Sequence, residues 1–232
     1  MMKVFYVASP LQAGAVVALP GLLSHRLQKV LRLAAGATVG LFNGQDGLWA
    51  ATLDGPKLTH AVVGACVRPQ PPVLPLTLLL GGVKREAFET ALRQATELGV
   101  QAIQPVLTAY AQRSQFNPER AHAIMIEAAE QCERLSVPML SDFMTLEQAV
   151  AAHPAIFWAA ERVAGEVALA PWPQPLDHLA VLVGPEGGFS PAEKAWLLAQ
   201  PQVQAHGLGP TILRADTAVV AALTRAQVLL GV

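Results

Sequence analysis

Residues 179–193 read LAVLVGPEGGFSPAE, and this stretch decides the fold. Leu179–Gly184 is an unbroken apolar run without alternation, the pattern of a strand buried on both faces of a parallel sheet. The other end specifies a helix start. Ser190 is the N-cap, Pro191 takes the first helical position and Glu193 completes a capping box. Between them, Gly184, Gly187 and Gly188 permit positive φ and close approach of the backbone to a ligand. In a parallel sheet, ligands bind beyond the carboxyl ends of the strands, where this turn lies. The turn lacks both the GK[ST] of a Walker loop and the GxGxxG of a dinucleotide fold, which argues against a triphosphate or pyrophosphate. The glycines by themselves fit a plain strand–helix turn equally well.

Downstream, residues 208–218 (LGPTILRADTA) repeat the order of strand, irregular loop and helix start. Asp216 and Thr217 suit the first turn of a helix, and capping alone accounts for Asp216. Arg214 beside them is not explained that way, because a cation disfavours a helix N-terminus. Upstream, the chain alternates strands (76–83, 102–107, 155–160) with helices (85–98, ending at Gly99, and 118–135, starting after Asn117). Helices over 191–199 and 215–230 complete a βαβα pattern that predicts a parallel sheet covered on both faces. Helix 215–230 is apolar on most of its circumference and needs cover on nearly every side.

Arg68–Pro75 (RPQPPVLP) holds four prolines in eight residues and reads as a stiff linker. Before it, short runs at 5–8, 38–44, 48–53 and 60–67, punctuated by Asn43-Gly44 and Asp46-Gly47, predict strands and tight turns. A single helix over 24–33 would bury Leu27, Val30 and Leu31 and present Arg26, Lys29 and Arg32. We therefore expect a small β-barrel at 1–72 and an α/β domain at 73–232.

Composition sets the remaining bounds. The chain has 232 residues, enough for a core without disulfides or metal. With 53% hydrophobic and only 14% charged residues, it is not intrinsically disordered. Mean hydropathy is +0.39, but the most apolar stretch, Val73–Val83, is interrupted and too short for a bilayer. Pro10, Gln12, Gly14 and Pro20 break the N-terminal apolar stretch, so no signal segment is expected. Cys66 and Cys132 are solitary, which fits a reducing compartment. The six histidines lack any metal-binding spacing, so no metal is expected. Net charge is −1 overall, yet residues 1–72 hold six basic and two acidic side chains. A basic first part on an acidic body fits a phosphate-bearing partner, and an ordinary solvated surface accounts for it as well. Glu127, Glu130, Gln131 and Arg134 share one helical face, which pattern alone assigns to solvent.

Four segments in order, ATELGVQAIQPV (95–106), EAAEQCERLSVP (127–138), LVGPEGGFSPAE (182–193) and LGPTILRADTA (208–218), resemble the RsmE family. These are 16S ribosomal RNA (uracil(1498)-N(3))-methyltransferases of the SPOUT superfamily. VLRL (30–33) and LFNG (41–44) extend the likeness to nearly the whole chain. The resemblance implies a PUA-like β-barrel that helps hold RNA, followed by a SPOUT domain with a parallel sheet and a deep trefoil (α/β) knot. It implies S-adenosylmethionine (SAM) as cofactor, a homodimer, and 16S ribosomal RNA of the small subunit as partner in the cytoplasm, with no membrane partner. The cofactor site would comprise Leu182, Val183, Gly184, Pro185, Glu186, Gly187 and Gly188. A second segment would add Leu208, Gly209, Ile212, Leu213, Thr217 and Ala218. RNA would meet Arg26, Lys29, Arg32, Lys84, Arg113 and Arg134. The family usually has Glu at 216, Lys at 94 and a basic residue at 136, where this chain has Asp216, Gln94 and Ser136.

Methylating uracil N3 requires removal of its N–H proton or stabilisation of the developing anion, with the base unpaired or flipped. Arg214 is the expected anion stabiliser, and Asp216 or Glu130 the proton acceptor. Two other readings stay open: methylation at another RNA position, and a non-catalytic RNA-binding or assembly protein.

Overall fold

The computed structural model describes residues 2–111, 116–161, 172 and 176–232. Two compact units emerge, one of Met1–Val73 with Ala129–Val137, the other of Leu74–Ala128 with Pro138–Val232.

The first unit is built on β1 (Val4–Tyr6), β2 (Val16–Ala18), β3 (Thr38–Phe42), β4 (Leu48–Asp54) and β5 (His60–Arg68). They form a mixed, curled sheet in the order β1-β3-β4-β5-β2, a PUA-like half-barrel. Only the β1–β3 pair is parallel. Successive side chains of a strand face opposite sides, and here both sides are covered. Phe5 and Leu41 join Leu27, Leu53 and Leu58 in the main core, whereas Val4 and Phe42 pack with Ala129 and Leu135.

The basic helix departs from its expected form. It begins after Pro20 as α1 (Gly21–His25) and continues as a π-helical stretch, Arg26–Val30. The N–H of Leu31 bonds the carbonyl of Arg26, five residues back, at 2.9 Å. That wider turn shifts the facing of the residues that follow. Val30, expected in the core, is 67% exposed, while Leu27 is fully buried. Arg32 follows with φ +53°, a conformation rarely taken by a non-glycine residue.

The second unit is an α/β domain. Its elements are β6 (Leu76–Gly81), α2 (Arg85–Glu97), β7 (Ala102–Leu107), α3 (Pro118–Gln131), β8 (Met139–Leu140), β9 (Met144–Thr145) and α4 (Leu146–Ala151). After these come β10 (Ile156–Ala159), β11 (Leu179–Val183), α5 (Pro191–Leu198), β12 (Val203–His206) and α6 (Ala215–Leu229). Strand order is β12-β10-β11-β6-β7-β8, with β9 also on β7, and every pairing is parallel. Every residue of β6 and β11 is buried, as their apolar runs require, and Thr77, the one polar residue of β6, bonds the His178 ring at 3.0 Å. α2 stops where Gly99 takes φ +82°. α3 stops at Gln131 rather than 135, because Glu133 turns to φ +57°. In α6, Val219, Ala222, Leu223 and Ala226 are buried within this unit, so Leu223 belongs to the core of a single chain. Among the described residues, no helix is long and apolar enough to cross a membrane.

Candidate active site

β11 is inserted between β6 and β10, and β12 lies outside β10, so the chain reverses its direction of travel across the sheet here. Such a reversal leaves a crevice beyond the strand ends. A cavity of about 540 Å³ occupies it, walled by the end of β10, the turn after β11 and the loop before α6.

The turn after β11 is held by contacts that only glycine allows. A Cβ on Gly184 would stand 2.8 Å from the Phe189 ring, which meets Trp158 edge-on at 5.7 Å. A Cβ on Gly81, at the end of β6, would stand 2.6 Å from Pro185 Cδ. Gly188 has φ +68°, and its N–H bonds the Pro185 carbonyl at 2.8 Å. The capping box is formed: Ser190 Oγ accepts from Glu193 N–H at 3.2 Å, and Glu193 Oε2 accepts from Ser190 N–H at 2.7 Å. Glu193 Oε1 also accepts from Ala109 N–H at 2.7 Å, tying the segment after β7 to the start of α5. Glu186 Oε1 accepts from the backbone N–H of Lys84 at 3.1 Å.

On the other wall, Arg225 of α6 donates to the Gly207 carbonyl and fixes the loop that follows β12. His206 beneath it is 1% exposed and stacked on Phe157, with ring centroids 4.2 Å apart. Burial, helped by the Arg225 charge, lowers its pKa to about 4, so the ring is neutral at pH 7.

Of the residues expected at the cofactor, Val183, Gly184, Pro185, Glu186 and Gly188 line the cavity from one side. Leu208, Gly209, Ile212, Leu213 and Ala218 line it from the other. Leu182 is fully buried inside its strand, Thr217 is exposed, and Gly187 packs against Tyr110. Arg214 lines the cavity as the N-cap of α6, and its guanidinium makes no ion pair among the described residues. Asp216 lies two residues on, with Oδ1 accepting from Thr217 N–H at 2.9 Å.

Glu130 lies in the first unit, and both of its oxygens are engaged. Oε1 accepts from Tyr6 N–H at 3.1 Å and Oε2 from Arg26 Nη1 at 2.6 Å. Arg26 also stands 5.3 Å from the centre of the Phe5 ring. Lys29, Arg32 and Lys84 are exposed. Arg134 is half-buried, donates to Ser136 Oγ at 2.9 Å, and has its pKa lowered to about 10 by burial, still cationic at neutral pH. Arg113 lies outside the described residues.

Sequence reasoning missed the wall formed by Trp158, Ala159, Ala160 and Glu161, and also Lys194. An available signal was the abrupt change from an apolar run to a carboxylate at the end of a parallel strand. Among the described residues, no group of three or more His, Cys, Asp or Glu side chains could hold a metal.

A parallel sheet with a cavity at its reversal point is the frame of a small-molecule-binding α/β domain, and residues 69–227 match the family described as an RNA methyltransferase domain. The ribosomal RNA small subunit methyltransferase E of Rickettsia conorii is 30% identical, over 88% of this chain and 86% of its own length. Its Synechocystis counterpart is 34% identical, over 93% of this chain and 74% of its own. This chain belongs to the ribosomal RNA small subunit methyltransferase E family. The Neisseria gonorrhoeae member, solved bound to S-adenosyl methionine, superposes with a TM-score of 0.85 at 27% identity, covering 99% of this chain and 98% of that one. A putative methyltransferase of Legionella pneumophila, solved with bound SAM, gives 0.80 at 25% identity, covering 98% of each chain.

Proposed function

We propose that the chain transfers a methyl group from SAM to N3 of a uridine in the 16S ribosomal RNA of the small subunit, in the cytoplasm. The cavity carries this reading. It falls within the roughly 300–1,000 Å³ usual for small-molecule sites. Its Gly-bearing turn keeps one wall thin, and Trp158, Phe189, Leu208 and Leu213 offer apolar surface for a purine. SAM, when bound, supplies an electrophilic methyl on a sulfonium, so the protein needs no nucleophile of its own. Arg214 then faces the developing uracil anion or a flanking phosphate, where a preplaced positive charge lowers the barrier. Asp216 takes the N3 proton, since among the described residues one of its oxygens is uncommitted whereas Glu130 is bound at both.

The same reading includes RNA held by the basic face of the first unit, through Lys29 and Arg32, and a division of labour between domains at 1–72 and 73–232. It includes a knotted path around the cavity, supported by the convergence of the 184–188 and 208–214 segments on one space. It also includes a homodimer, for which the outward Val228 and Val232, 64% and 74% exposed, supply apolar surface.

The test is incubation with labelled SAM and small ribosomal subunits lacking the modification, followed by nucleoside mapping. Label in N3-methyluridine is expected. Label in another nucleoside overturns the position, and SAM binding without transfer overturns the enzyme.

A further inference from the structure

The end of β10 brings one charged group to the cavity that the reaction above does not use. Glu161 follows the apolar run Ile156–Ala160, and its side chain is exposed on the cavity wall. Among the described residues it has no hydrogen-bond or ion-pair partner. Its carboxylate faces Gly188. A Cβ on that glycine would stand 3.7 Å from Oε2 and 3.9 Å from Oε1, so both oxygens are turned toward the same gap. Gly188 is held at φ +68°, where any side chain is strained, and its missing Cβ leaves the carboxylate uncovered.

The other charged groups of the wall differ. Glu186 is engaged by the Lys84 N–H, and Lys194 and Arg214 are cations suited to carboxylate or phosphate. Resting on the reading of the cavity as a SAM site, we propose that Glu161 recognises the vicinal diol of the cofactor's ribose, one hydroxyl to each oxygen. SAM offers a carboxylate two kinds of donor, the diol and the α-ammonium. The ammonium carries its own carboxylate beside it, which Glu161 would repel, and among the described residues no cation within ion-pair distance of Glu161 offsets that. The diol is two neutral donors set side by side, and its hydrogen bonds to a carboxylate are charge-assisted. A site built on such bonds rejects a ligand lacking one of the hydroxyls, because the carboxylate loses a partner. Glu161 is thus a determinant of ribose over deoxyribose in the cofactor.

The experiment is calorimetric titration of the wild type, Glu161→Gln and Glu161→Ala, each checked by thermal melt. The ligands are S-adenosylhomocysteine, its 2′-deoxy form, and methylthioadenosine, which keeps the ribose and lacks the amino acid. Glu161→Ala is expected to weaken S-adenosylhomocysteine and methylthioadenosine by the same factor, about ten- to hundredfold. The 2′-deoxy ligand binds the wild type more weakly and loses much less on the same substitution. Glu161→Gln, which keeps the shape and one acceptor, falls between and carries the comparison if the alanine variant is unfolded. A loss for S-adenosylhomocysteine without one for methylthioadenosine would assign the carboxylate to the ammonium and overturn the proposal. Unchanged affinity for both overturns it as well. A wild type that binds none of the three overturns the reading of the cavity itself.

Discussion

Arg26 donates to Glu130 at 2.6 Å, joining two residues 104 positions apart in the sequence. The carboxylate side chain is 7% exposed and the arginine 46%. The pair therefore stabilises the first unit and withdraws one cation from the basic face. Removing Arg26 leaves Glu130 with the Tyr6 N–H alone among the described residues. Arg26→Ala should cost about 1–2 kcal/mol, the scale of an unsatisfied, mostly buried acceptor, with some relief from solvent at the arginine side. Urea unfolding measures this. A loss below a few tenths would mean that water replaces the guanidinium fully.

Lys29 and Arg32 are exposed and, among the described residues, in no ion pair. Neutralising either should lower RNA affinity and reduce the log–log salt slope by ~0.7–0.9. Arg26→Ala, in contrast, should leave the slope nearly unchanged. Fluorescence anisotropy of a labelled RNA hairpin across a salt series separates the two outcomes.

Gly188→Val should strain the turn at φ +68° and place a side chain in front of Glu161. The strain is about 1–3 kcal/mol. SAM affinity should fall at least tenfold by calorimetry. Gly14→Ala also introduces a residue at positive φ, +81° with open space around it, but in the first unit. It should affect stability alone.

Acid should weaken the second unit. Burial, reinforced by the stacked His178, lowers the pKa of His153 to about 4; His206 is likewise near 4, and burial lowers that of His178. In the unfolded chain these groups titrate near about 6.5. The unfolded state thus takes up protons first, so their contribution is complete above about pH 6.5 and lost as pH falls toward 4. Melting temperature should decline across that window, and His206→Leu should flatten the decline. The Glu89 carboxyl, held near 2 by hydrogen bonds from Arg120 and Arg85, adds a loss of its own that starts near its ordinary value of 4.5, at the foot of this window, so the histidine effect is read between about pH 6.5 and 5.

Val228→Glu should separate the proposed dimer without unfolding it, because the side chain is 64% exposed. Sedimentation is expected to show two 24.5 kDa chains for the wild type and one for the variant. Leu223→Glu should unfold the chain instead, since that side chain has no exposure at all. A monomeric wild type with full activity would refute the dimer.

Local chemistry explains which parts were readable beforehand. The capping box at Ser190 and Glu193, the stop at Gly99 and the buried runs of β6 and β11 are each set by neighbouring residues, so they stand in the sequence as they stand in the fold. The strands β2, β8 and β9 were not read, being two or three residues long with too few positions to show a period, and the strand expected at the start of 208–218 lies earlier, as β12. The π-helical register of Arg26–Val30 gives no signal in an apolar pattern that fits an ordinary helix. The two turns that line the cavity were legible because glycine and cap residues mark them. Glu161 was not, because its meaning comes from Gly188, 27 positions on, and the Arg26–Glu130 pair was hidden for the same reason.

The parallel sheet also imposes an order in time. β6 pairs with β7 early in the sequence, yet its other neighbour, β11, begins only at Leu179. Every described residue lining the cavity lies between Trp158 and Ala218. During synthesis the half-barrel and the β6–β7 pair can form well before any of that wall exists, and distant pairings form slowly. A nascent chain therefore has its basic surface long before it has a pocket. With the first unit holding RNA as proposed, it can meet a polyanion while still unable to take up a small molecule, and readiness for the second arrives only with the last quarter of the chain.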